Sequence, residues 1–100
     1  MFRMHDFIEL YKMNLEAERL ASENKIAEAA KKYDEMIALR SKIDPNKTTL
    51  AVLLYKKGVL LQKVELEESA KEAFQKALHL LQKSQSTHLY QEILQKLNSN

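Results

Sequence analysis

Asn24-Lys25-Ile26-Ala27-Glu28-Ala29-Ala30-Lys31-Lys32-Tyr33-Asp34-Glu35-Met36 and Glu65-Leu66-Glu67-Glu68-Ser69-Ala70-Lys71-Glu72-Ala73-Phe74-Gln75-Lys76-Ala77 are two copies of one pattern. In each, a small residue (Ala29, Ala70) is followed four positions later by an aromatic (Tyr33, Phe74), then three later by an apolar residue (Met36, Ala77). Another small residue, Ala17 or Gly58, stands twelve positions before the alanine. The copies lie 41 residues apart, as Ala29 and Ala70 show. Spacings of three and four place these side chains on one face of a helix. A small residue opposite an aromatic is the large–small alternation by which packed helices interdigitate.

Outward from these copies the same period predicts five helices and an all-α fold. The first covers residues 6–22, with Phe7, Leu10, Met13, Ala17 and Leu20 as its stripe. It stops at Ser22-Glu23-Asn24, where Asn24 is placed to cap the next helix. The second covers 25–43 and ends at Asp44-Pro45, because the residue before proline is driven from the α region and Pro suits a first helical turn. The third, 47–63, contains the continuous apolar run Leu50-Ala51-Val52-Leu53-Leu54-Tyr55 followed by Val59-Leu60-Leu61. A helix apolar nearly all round is buried on several sides, so this one is expected at the centre. The fourth, 66–83, has the cleanest stripe (Leu66, Ala70, Phe74, Ala77, Leu78, Leu81). Ser84-Gln85-Ser86-Thr87 reads as a turn before a fifth helix, 88–97, with Leu89, Ile93, Leu94 and Leu97 on one side and a fraying tail beyond.

Composition agrees. One Gly and one Pro in 100 residues are too few corners for a β-rich chain of this length. One hundred residues make one domain, here 1–100. The chain has no cysteine, which excludes a disulfide framework and thiolate metal sites. The N-terminus lacks an apolar signal core and no apolar run approaches a membrane span, so the expected location is cytoplasmic and no membrane partner is expected. Sixteen basic and 14 acidic residues give a net charge of +2 and are interleaved, as in Lys31-Lys32 before Asp34-Glu35. A nucleic-acid binder needs its cations clustered, so no nucleic-acid partner is expected.

The duplicated pattern resembles the tetratricopeptide repeat, a helix–turn–helix with a small residue in its first helix, an A-x3-F element in its second and a proline near its end. Leu54, Gly58, Leu61, Ala70, Phe74 and Ala77 carry the match in the second copy; Ala17, Leu20, Ala29, Tyr33 and Pro45 carry it in the first. The family's repeat is usually ~34 residues; the extra length here falls between Leu39 and Leu50, similar to the longer repeats of kinesin light chains and some bacterial peptide-sensing regulators. Met13 and Leu54 stand where the family has Trp, and the second copy lacks a closing proline. The resemblance implies two antiparallel helix hairpins, 6–43 and 47–83, and a capping helix, 88–97, wound as a right-handed α-solenoid. Apart from the family, Gly58 calls for close helix approach, since a helix-interior Gly costs about 1 kcal/mol against Ala.

Catalytic chemistry is not expected. His5, His79 and His88 form no i, i+4 pair or His-Glu-x-x-His, so no metal site is expected. One glycine cannot make a phosphate loop, and no serine stands in a nucleophile-elbow context. No cofactor is expected. The resemblance instead implies that the first helix of each repeat lines a concave groove for a partner peptide. Tyr11, Asn14 and Glu18 on the first helix, and Val52, Tyr55, Val59 and Lys63 on the third, would face it. Equally, Val52, Tyr55 and Val59 could pack on the fifth helix or another chain. The acid-binding clamp of some such grooves needs several cations; only Lys63 is a clear one here. The expected function is an adaptor or regulatory subunit binding a protein or peptide; the alternatives are a self-assembling structural module and a small chaperone for a helical partner. Phe2, Met4, Phe7 and Ile8, with Tyr11, leave apolar area at an end no third repeat covers. A homodimer or an obligate hetero-complex through the N-terminal helix is therefore expected.

Overall fold

The computed structural model describes residues 4–85 and 87–98. They form five α-helices: α1 (Met4–Ser22), α2 (Ile26–Ile43), α3 (Lys47–Lys63), α4 (Glu67–Gln85) and α5 (Thr87–Asn98). No strand occurs among the described residues. α1 starts earlier than expected and takes in Met4 and His5. α4 runs two residues past Lys83 and α5 begins at Thr87, so Ser84, Gln85 and Thr87 of the expected turn are helical; Ser86 and the tail after Asn98 lie outside the described residues.

Two connections have the same geometry. Asn24 and Glu65 are left-handed, with φ of 63° and 61°. After α1, the Lys25 N–H donates to the Leu20 carbonyl at 2.8 Å and the Asn24 N–H to Ala21 at 3.0 Å. After α3, the Leu66 N–H donates to Leu61 at 3.0 Å and the Glu65 N–H to Gln62 at 3.1 Å. This pair of bonds is the Schellman motif, which satisfies the last carbonyls of a helix by turning the chain at one left-handed residue. The two turns are 41 residues apart, the period of the sequence duplication. Asn24 is therefore not the N-cap of α2 that the sequence suggested. The N-cap position is Lys25, whose side chain makes no capping bond, because Asn24 is committed to ending α1.

The α2–α3 connection differs. Pro45 lies just before the helix, not in its first turn. Asn46 is the N-cap: its Oδ1 accepts from the Thr49 N–H at 2.9 Å.

Each helix packs chiefly on its neighbours in the chain. Two core clusters result. Leu10, Ala17 and Leu20 of α1 meet Ile26, Ala29, Tyr33 and Met36 of α2 and Leu53 and Leu60 of α3. Leu54 and Leu61 of α3 meet Ala70, Phe74, Ala77 and Leu81 of α4 and Ile93 of α5. α3 thus contributes one face to each cluster, which is why its sequence is apolar nearly all round. Gly58 is buried at the α3–α4 contact: a Cβ there would lie 2.5–2.9 Å from three ring carbons of Phe74. The molecule measures 41 × 35 × 18 Å, its short axis leaving room for two helix layers of about 10 Å each. No helix among the described residues is long and apolar enough to cross a membrane.

Candidate functional site

The residues singled out from the sequence on α1 and α3 stand in two environments. On α1, Tyr11 and Glu18 are exposed and Asn14 is half-buried. Asn14 Nδ2 donates to Glu18 Oε1 at 3.1 Å, one turn along. This is the helical amide–carboxylate pairing that fixes both rotamers at small gain.

On α3, Val52, Tyr55 and Val59 are half-buried and Lys63 is exposed. Tyr55 stacks obliquely on Phe74, ring centroids 5.9 Å apart and planes at 45°. Its hydroxyl lies beside Glu92 of α5. Burial, with the hydrogen bond to the Glu92 carboxylate and that group's charge, pushes the Tyr55 hydroxyl pKa up from its ordinary value. Tyr55 and Val59 pack on the second core cluster alongside Leu89, Tyr90 and Leu97 of α5. Gln62 Nε2 reaches the Lys96 carbonyl at 3.5 Å. The fifth helix therefore lies along part of the α3 face. The α1 half and Lys63 remain open to solvent.

A concavity lies away from these residues. Its volume is about 630 Å³, and it lies between α2 and α4 with α3 as its floor. Ile37, Leu54 and Leu80 supply its apolar lining; Asp34, Lys57, Glu72, Lys76 and His79 surround it. Lys57 Nζ and Asp34 Oδ1 pair at 2.6 Å across α2 and α3. The sequence showed Leu54 in the apolar run of the third helix but gave no signal that α2 and α4 would stand apart over α3.

The expected oligomer contacts fall as follows. Met4 is 79 % exposed and Ile8 47 %. Phe7 is only partly exposed, with the Arg40 guanidinium 5.6 Å from its ring centre, a cation–π contact. Phe2 lies outside the described residues. Leu15, 49 % exposed, belongs with this set although it is absent from the expected contacts. Its signal was present: Met4, Ile8, Tyr11 and Leu15 are spaced four, three and four.

Near the end of α1, Arg19 bridges Glu16 at 2.6 Å and Glu23 at 2.8 Å. The guanidinium holds both carboxyls below their ordinary pKa, chiefly through these hydrogen bonds. All three are solvent-exposed, so the triad is a surface network of small energy. No group of His, Cys, Asp and Glu suited to a metal ion occurs among the described residues. The α1 and α3 residues singled out from the sequence thus offer apolar contact, amide and carboxylate hydrogen bonding and, in Lys63, an exposed lysine. No family model, curated protein or solved structure matches the chain.

Proposed function

We propose that the chain is a tetratricopeptide-type interaction module: two helix hairpins, α1–α2 and α3–α4, closed by α5 and wound right-handed. In this reading it binds a peptide or helix of a partner protein on the face of α1 and α3. The observation that carries the proposal is the duplication at the level of the backbone. The same left-handed turn recurs 41 residues on, at Asn24 and Glu65, between the same pair of core positions: Ala17 with Tyr33, and Gly58 with Phe74. A repeat unit exposes one helix face along its length, and a row of such faces makes an extended binding surface. Tyr11, Asn14, Glu18 and Lys63, with the half-exposed Val52, Tyr55 and Val59, give it aromatic anchors and hydrogen-bonding groups of the kind that dominate protein interfaces.

The test is selection of peptides from a random display library on the immobilised full chain. The Tyr55→Ala/Lys63→Ala double variant should weaken binding of the selected peptides at least about tenfold, some 1.4 kcal/mol, with helicity unchanged. Equal affinity in the double variant would place the binding surface elsewhere.

A further inference from the structure

α1 carries two apolar faces. Leu10, Met13, Ala17 and Leu20 turn inward to the first core cluster. At 3.6 residues per turn, Met4, Ile8, Tyr11 and Leu15 share an arc of about 60° on the opposite side. They are 79 %, 47 %, 64 % and 49 % exposed. A helix with a single buried face carries polar residues opposite it. The 4-3-4 spacing is that of the apolar seam by which two helices interlock. The seam carries no formal charge from Met4 to Leu15 and ends at Glu18, the next position in the series.

We infer that this seam is the interface of a two-fold homodimer in which α1 pairs antiparallel with α1 of a second copy. Spacing 4-3-4 reads the same in both directions. An antiparallel copy therefore sets Met4 against Leu15 and Ile8 against Tyr11, twice each, about an axis between Ile8 and Tyr11. Such a contact uses one surface on both partners and closes at two copies. The exposed parts of the four side chains come to roughly 500 Å² per copy and about 1,000 Å² in a pair, the lower bound for a specific interface. Lys12 flanks the seam, and its flexible stem lets the ammonium stay in water. The dimer takes Tyr11 out of the peptide surface proposed above and leaves α3 and Lys63 free.

The chain has no cysteine, so introduced thiols would be the only ones. Sedimentation equilibrium of the full chain should show a dimer that dissociates on dilution. Leu15→Glu should raise the dissociation constant roughly a hundredfold, as should Ile8→Glu, with circular dichroism unchanged. On mild oxidation the Met4→Cys/Leu15→Cys double variant should cross-link to a covalent dimer. Neither single variant should, because like positions would stand about 16 Å apart along the paired helices. A monomeric parent chain, or a dimer indifferent to both Glu substitutions, would overturn the inference. Cross-linking by the single variants would mean parallel pairing and would overturn the register. Peptide binding by Leu15→Glu is a separate readout: if it persists while the dimer is disproved, only the dimer falls.

Discussion

Gly58 has no room for a side chain because the Phe74 ring occupies it, and Phe74 is itself almost fully enclosed. A larger residue must displace either the ring or the helix. Gly58→Leu should lower stability by about 1–3 kcal/mol through overpacking. At an exposed helical site the same change would raise stability, since Gly is a poor helix former. The urea midpoint distinguishes the two: a rise would show that α3 and α4 separate easily at this point. Glu65 is the opposite case, a residue whose side chain is free and whose backbone is strained. Left-handed geometry disfavours any residue with a Cβ by about 1–2 kcal/mol. Glu65→Gly should therefore stabilise by about 1 kcal/mol, allowing for the greater freedom glycine has in the unfolded chain. Asn24→Gly should change less, because Asn tolerates this region better. A loss of stability in Glu65→Gly would mean that the glutamate side chain matters to the turn.

The elements were largely legible in the sequence, because a stripe of period 3.6 says both that a helix exists and which face is buried. α3 was recognisable as central from its two apolar faces, and Gly58 as a close contact from its scarcity. The left-handed turns were not readable: nothing in Glu65 announces positive φ, and Asn24 looked like a cap because Asn suits both roles. The second stripe of α1 is hard to see in the sequence because Phe7 also fits the spacing of Leu10, whereas its ring lies beside Arg40. Periodicity also names an apolar face without naming what covers it, so it left open whether Tyr55 would meet solvent or α5. Tyr33 and Tyr55, one in each cluster, make the packing between helices sensitive to alkali. Burial raises both hydroxyl pKa values above the ordinary 10.0, aided for Tyr33 by the charge of Glu18 and for Tyr55 by Glu92. The folded chain therefore holds these protons after the unfolded chain has released them. Their contribution is complete below pH 10 and is lost as pH rises through the folded values. The melting temperature should fall above pH 10, and the Tyr33→Phe/Tyr55→Phe variant should show a shallower fall. Parallel curves for the two proteins would show that other groups set the alkaline limit.

For the molecule as a whole, the decisive feature is that every helix packs mainly on the one before and the one after it. Contacts between near neighbours in sequence close short loops, so little chain entropy is lost before the contact forms. Chains of such low contact order cross their folding barrier in roughly microseconds to milliseconds. α3 belongs to both clusters, so order that begins on it can spread either way. During synthesis α1 and α2 are made before α3, and Leu10, Ala17 and Leu20 must wait for Leu53 and Leu60 to complete their cluster. A nascent chain halted before Lys47 would leave the side of the first cluster that Leu53 and Leu60 cover exposed to its surroundings, and its safety in that interval would depend on how quickly the next seventeen residues emerge.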